Sequence, residues 1–204
     1  MNAAEHIFCS SLVWRCISQR MLLPWIVPAI PLGDHLLEIG AGYGAATAYL
    51  RRRAPRVTSL EYDHHATRHL QFHHDGGAGA AVCGDACRLP FADRTFSSAL
   101  AVLVLHHLKS REAQDQMFAE VFRVLRTGGI FLTFEISDSW LNRIVHVRST
   151  FTPIAPASAF ERLITAGFSG IEIDMRSGAF RLRATRPDSE ELSILSVAAP
   201  CPPQ

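Results

Sequence analysis

Three glycines at alternate positions close a short apolar run in His35-Leu36-Leu37-Glu38-Ile39-Gly40-Ala41-Gly42-Tyr43-Gly44, and few folds accommodate such a stretch. The apolar run predicts a strand, and the alanine- and arginine-containing segment 45–53 beyond it predicts a helix. Glycines without Cβ let a turn adopt positive φ and bring backbone close to a bound molecule, while the helix start offers unpaired N–H groups. A ligand carrying a nucleoside is therefore expected. Alternatives stay open on this stretch alone: Gly40, Gly42 and Ala45 also satisfy the relaxed Gly-x-Gly-x-x-Ala form of a dinucleotide fingerprint, and a purely structural turn fits too.

The rest of the chain alternates. A strand at 57–60 ends at Glu61, followed by Tyr62 and Asp63, about the interval past the glycines at which a ribose-binding carboxylate is expected. A short strand at 80–83 leads into Gly84-Asp85-Ala86, and an almost wholly apolar one at 98–103, of the buried parallel kind, leads into Leu105-His106-His107-Leu108. Ser110 is placed to cap a helix whose apolar face is Ala113, Met117, Val121, Val124 and Leu125, with Gly128 and Gly129 as its expected stop. A fifth strand at 130–134 ends at Glu135, a helix is expected over 157–166, and two strands at 171–175 and 180–185 form a hairpin around Ser177-Gly178. Residues 136–155 read as irregular or weakly helical. Ahead of the glycine turn, residues 2–20 read as one amphipathic helix, and Pro24, Pro28 and Pro31 argue against a regular helix throughout 21–31. Strands alternating with helices and a closing hairpin define an α/β open sheet with helices on both faces. The expected division is an N-terminal helical cap at 1–33, the main domain at 34–187 and a loosely held tail at 188–204.

Charge narrows the partners. Lysine and arginine (20) nearly cancel aspartate and glutamate (19), so the chain has little excess charge with which to neutralise a phosphate backbone, and no nucleic-acid partner is expected. Five cysteines, at 9, 16, 83, 87 and 201, lack the spacing of a zinc site or a secreted disulfide framework, which fits reduced thiols in the cytoplasm. The apolar stretch 21–30 is too short to span a bilayer, so no membrane partner is expected. His65, His69 and His73 stack on one face of a predicted helix that also carries His64 and His74. Two histidines one turn apart can chelate a metal, but without a His-Glu-x-x-His pattern no metal is assigned.

With these motifs in this order, the chain resembles the class I S-adenosylmethionine-dependent methyltransferases, of the small-molecule, methyltransferase-11-like type, from about Gly33 to Pro187. Leu37 to Gly44 matches the family's first motif, which implies that Gly40, Ala41, Gly42 and Gly44 pack against the amino-acid portion of S-adenosylmethionine and that Glu38 helps hold its ammonium. Glu61 matches the acid that binds the ribose hydroxyls, with Tyr62 beside it, and Gly84-Asp85-Ala86 matches the adenine-recognition motif. Leu105 to Leu108 and Arg123 to Gly129 match the family's fourth-strand exit and the approach to its fifth strand. The resemblance implies a Rossmann-like sheet of seven strands in the order 3-2-1-4-5-7-6, with strand 7 antiparallel.

Methyl transfer from a sulfonium is an in-line displacement that depends mainly on positioning, so a dedicated base is optional. Where the acceptor is a hydroxyl, a histidine at the strand edge serves. His106 and His107 are the first candidates, one facing the ligand and the other the helix behind, each with a structural role as the alternative. Glu135 either orients an acceptor or is a solvated strand end, and His146 is a weaker candidate. Trp14, Trp25, Trp140 and Phe151 either line an acceptor pocket or pack the core. The leading expectation is methyl transfer to oxygen or nitrogen of a small, fairly apolar molecule. A non-catalytic S-adenosylmethionine-binding or partner-activating subunit and a nucleic-acid methyltransferase are the alternatives, and the oligomeric state is left open. Two departures from the family stand out. Ser97 replaces an aspartate common at the start of the fourth strand, which predicts an effect on stability, and Tyr43 replaces a threonine, so it either narrows the pocket or packs on the N-terminal helix.

Overall fold

The computed structural model describes residues 11–188, apart from 28, 73–79, 146, 148 and 177. Seven strands form one sheet: β1 His35–Ile39, β2 Arg56–Glu61, β3 Ala81–Cys83, β4 Phe96–Val102, β5 Leu125–Ile136, β6 Ser169–Arg176 and β7 Ala179–Thr185. Their order is β3-β2-β1-β4-β5-β7-β6, as the family resemblance implies. Strands β1 to β5 pair in parallel and β7 runs antiparallel to both β5 and β6. The C-terminal ends of the five parallel strands thus share one edge, and the loops that leave that edge carry the sequence motifs.

Burial explains why β1 and β4 read as continuous apolar runs rather than alternating ones, since both faces are covered. On one face the helices Arg111–Val124 and Pro156–Thr165 pack Phe118, Val121, Ala159 and Leu163 against Phe96, Phe131 and Phe180. The other face carries Leu36, Val57, Leu100 and Leu132, covered by Leu23, Ile26, Val27 and Leu32 of the N-terminal segment and by Leu50. Each such side chain, fully buried, contributes about 1.5–3 kcal/mol relative to exposure. A polar brace joins the helices of the first face: Arg162 donates to Gln114 Oε1 at 2.9 Å, to Asp115 at 2.5 Å and to the Arg111 carbonyl at 2.7 Å.

Two local expectations are corrected and two are refined. The segment 45–53 is regular helix only over Thr47–Leu50; beyond it Arg52 and Arg53 bond three residues back, because Pro55 excludes Ala54 from continuing the helix. The helix expected to stop at Gly128-Gly129 ends at Val124, where Leu125 turns extended and pairs with Phe96. The two glycines lie instead in an irregularity of β5, where Gly128 has φ +72° and exchanges backbone bonds of 2.8 Å with Arg186 through itself and Gly129.

At the N-terminal end, helix continues through Pro24 to Ile26, since a π turn at Ser18–Leu22 separates Leu12–Ile17 from Leu23–Ile26. Leu23 N–H reaches back to the Ser18 carbonyl, and this wider turn takes up the clash a proline ring makes with the carbonyl four residues earlier. Part of 136–155 is regular as well, with a helix at Trp140–Val145.

Ser97 lies at the opposite edge from the ligand motifs, as expected. Its hydroxyl accepts from His35 N–H at 2.9 Å and lies 2.9 Å from the carbonyls of Leu32 and His35, fastening the chain where it enters β1. Among the described residues no helix is long and apolar enough to cross a membrane.

Candidate functional site

The glycine turn leaves β1 with Gly40, Gly42 and Gly44 at φ +69°, +53° and +81°, conformations that side chains rarely adopt. Gly40 and Ala41 both donate to the Leu60 carbonyl, at 2.9 and 3.2 Å. A Cβ built on Gly40 would lie 2.5 Å from Val104 Cγ2, so that glycine is required by packing. At Gly42 the same construction meets nothing within 4 Å. The middle of the turn therefore faces open space.

Three carboxylates stand at this edge, each in a different setting. Glu61 ends β2 half-buried; its Oε2 accepts from Gly42 N–H at 2.7 Å and its Oε1 from Asp63 N–H at 2.8 Å. Each oxygen keeps a further lone pair for a second donor. Asp85 is exposed after β3, with Oδ1 accepting from Cys87 N–H at 2.9 Å. Tyr62, 74 % exposed, follows Glu61 directly. Asp85 also stands at the rim of a cleft of about 480 Å³ that it shares with Cys87, Arg88 and Glu120. Burial, with Asp85 beside it, pushes the Cys87 thiol up to about 11, so it stays a neutral thiol at neutral pH.

Glu38 lies beneath the turn and is 3 % exposed. The hydroxyls of Thr47 and Ser59 both donate to its Oε2 at 2.7 Å. Burial outweighs these bonds and raises its carboxyl to about 7. No local pattern points to the two hydroxyl donors, which come from the helix Thr47–Leu50 and from β2.

Beside the exit of β4, one of the two readings left open for Glu135 is overturned. Glu135 is fully buried rather than a solvated strand end. Its Oε1 accepts from Val104 N–H at 2.9 Å and Leu105 N–H at 2.7 Å, and its Oε2 lies 2.6 Å from His106 Nδ1. With Glu135 taken as a carboxylate, which only accepts, the His106 contact is assigned as Nδ1–H donating. His106 is 2 % exposed and stacks near His107 and Phe151, with ring centroids at 4.2 and 5.6 Å. His107 is half-buried. Gln114, which sequence reasoning did not single out, ties this turn to the segment beside it by donating to the carbonyls of Leu105 at 3.0 Å and Thr152 at 2.8 Å.

The aromatic candidates separate. Trp25 donates to Asp174 at 3.0 Å, meets Phe134 edge-on and lies under the guanidiniums of Arg176 and Arg181, so it anchors the N-terminal helix to the β6–β7 hairpin. Trp140 is 74 % exposed. Tyr43 packs its edge on His69, with ring centroids 5.3 Å apart. The Gln19 side chain donates to the Ala45 carbonyl at 3.0 Å, which brings that helix to the far end of the glycine turn. His73, His74 and His146 lie outside the described residues, and among the described residues no group of three or more side chains could hold a metal ion.

Comparison with known proteins agrees with this geometry. A family model described as a methyltransferase domain matches residues 37–133. A demethylmenaquinone methyltransferase of Thermobifida fusca is 33 % identical over 109 residues, covering 52 % of this chain and 44 % of that protein. A fatty-acid O-methyltransferase of Mycolicibacterium smegmatis is 37 % identical over 102 residues, covering 49 % of this chain and 36 % of the relative. The chain thus spans less than half the length of these curated relatives. Among solved structures, a chain of the Haloferax volcanii complex between the Trm112 methyltransferase activator and a methyltransferase superposes with a TM-score of 0.74 at 15 % identity, over 92 % of this chain and 99 % of its own.

Proposed function

The chain carries a methyltransferase domain of the class I, S-adenosylmethionine-dependent family, and from that premise we propose that it moves a methyl group to oxygen or nitrogen of a small, fairly apolar molecule. The observation that carries this reading is Gly42: a left-handed residue facing open space, whose own N–H is held by a carboxylate with lone pairs to spare. A nucleoside-bearing ligand fits such a cradle, and the cofactor of this family is one.

When bound, S-adenosylmethionine supplies a methyl group on a sulfonium. The chain's residues divide the work of holding it. Backbone at Gly40, Ala41, Gly42 and Gly44 takes the amino-acid portion, with Glu38 beneath as the partner of the ammonium. Glu61 accepts from the ribose hydroxyls through the lone pairs that Gly42 and Asp63 leave unused. Asp85 accepts from the adenine amine, the Ala86 N–H with Gly84 beside it meets the ring, and the exposed Tyr62 flanks it. Holding the acceptor in line is worth on the order of 7–11 kcal/mol in well-oriented reactions. His107, half-buried above the sealed His106, takes the proton from an acceptor hydroxyl as the new bond forms. The acceptors named for the two curated relatives, a demethylmenaquinone and a fatty acid, support an apolar class.

Calorimetric titration with S-adenosylmethionine, S-adenosylhomocysteine and NAD in parallel tests the reading. Micromolar binding of the first two and none of NAD is expected, followed by labelled-methyl transfer to hydroxyl- or carboxyl-bearing apolar acceptors. A folded sample that bound NAD alone, or none of the three, would overturn it. Retention on heparin at physiological salt would redirect the search for an acceptor to nucleic acids.

A further inference from the structure

We propose that Glu135 is a positioning residue for the cofactor wall: through the turn after β4 it sets Val104 against Gly40, and it touches neither ligand. The inference rests on the methyltransferase reading above.

After Val102 the chain leaves β4 through Leu103, at φ +59°, whose N–H still bonds the Phe134 carbonyl at 2.8 Å. The next two amides leave the ladder at a place removed from water. Both turn to one oxygen of Glu135, and the ring of the following residue donates to the other. One side chain thus fixes three consecutive residues. A carboxylate held in the interior needs all its bonds satisfied, and the Glu135 bonds come from this single turn. The turn is held from outside as well, by Thr152 N–H on the His106 carbonyl at 2.7 Å and by Gln114 on that of Leu105.

Val104 transmits the effect. Its Cγ2 occupies the space in which a Gly40 side chain would begin, 2.5 Å from the ideal Cβ position. The glycine turn is thereby pinned between the Leu60 carbonyl, which accepts from Gly40 and Ala41, and the Val104 side chain, which Glu135 holds in place. The carboxylate reaches the cofactor's edge only through this relay.

Three variants of the full chain, Glu135→Ala, Glu135→Gln and Val104→Ala, test the proposal by backbone amide exchange and by titration with S-adenosylhomocysteine. Glu135→Gln keeps a carbonyl oxygen for the two amides and puts an amide NH2 where the acceptor oxygen faced His106 Nδ1, which the ring meets by carrying its proton on Nε2 instead. Glu135→Ala is expected to exchange at least tenfold faster at 104 and 105 and to bind at least tenfold more weakly. Glu135→Gln should stay within about threefold of the parent chain in both. Val104→Ala leaves the carboxylate and its bonds in place, so it keeps the test open if the alanine variant at 135 does not fold. Its amides at 104 and 105 should stay protected while affinity falls severalfold. Unchanged affinity in Val104→Ala, or in a folded Glu135→Ala whose amides have been freed, would overturn the proposal. So would a Glu135→Gln variant as weak as the alanine one with its amides still protected, since the charge would then act on the ligand itself. A parent chain that failed to bind S-adenosylhomocysteine would instead sink the methyltransferase reading, and the cofactor wall with it.

Discussion

Glu61 and Glu135 stand at the C-terminal ends of two parallel strands, and each gathers backbone N–H groups from a neighbouring turn. One is left half-buried with lone pairs facing open space; the other is sealed, its oxygens used by two amides and an imidazole. The same device therefore serves two ends. At β2 it holds the glycine turn and remains available to a ligand, whereas at β5 it holds the opposite wall and is withdrawn from solvent. A carboxylate at the ligand edge of an α/β sheet is not a ligand contact by position alone; its remaining hydrogen-bonding capacity decides.

This contrast breaks most readily at the two residues themselves. Removing Glu135 strands one buried amide, one half-buried amide and a buried ring N–H, so Glu135→Ala should lower unfolding free energy by about 3 kcal/mol or more, read by denaturant titration. Glu61→Ala should show the reverse emphasis: roughly tenfold or greater loss of S-adenosylhomocysteine affinity by calorimetry, with a smaller stability change, because its partners can reach water. Equal losses of stability in the two would erase the distinction. Asp85→Ala, with only one backbone bond to lose, should weaken binding severalfold and leave the melting temperature nearly unchanged.

Glu38 sharpens the comparison through pH. Its carboxyl titrates at about 7 in the folded chain against an ordinary value of 4.5. Between those two pH values the folded chain keeps a proton that the unfolded chain has lost. Its contribution to stability is therefore full below about pH 4.5 and is lost as pH rises towards 7. Glu38→Gln should flatten that slope. An ammonium placed beside Glu38 favours its ionised form, so ligand binding near pH 7 should release protons, seen as buffer-dependent binding heats that vanish in Glu38→Gln. The smallest effect on the ligand is expected from Ser97→Ala, at the opposite edge: about 1–2 kcal/mol of stability and no change in affinity.

The alternation of strands and helices was legible from local patterns, and the strand order followed from the family resemblance carried by the glycines at 40, 42 and 44, the acid at 61 and the Gly84-Asp85 step after a short strand. Glu135 was found as a residue but misread as to setting, since its burial depends on a turn 30 residues upstream folding over it. The same limit explains Gly128-Gly129, which look like a helix stop until Leu125 is seen paired with Phe96. Trp25 read as core more readily than as pocket lining. Its anchoring by Asp174 and Arg181 comes from the hairpin at the other end of the chain, which no local pattern foretells.

The π turn at Ser18–Leu22 works as a phase adjuster. Successive residues of an α-helix are rotated by about 100°, so one extra residue in a turn swings everything beyond it to a new azimuth. With that residue, the helix presents Gln19 to Ala45 on one side of the sheet's edge and Trp25 to the hairpin on the other. Deleting a single residue between 18 and 22 would remove the wide turn, return the Pro24 ring to its clash with the carbonyl four residues earlier and turn the two anchors away from their partners. The N-terminal helix is thus keyed to the body by its length as much as by its side chains, and chain length there is under the same constraint as sequence.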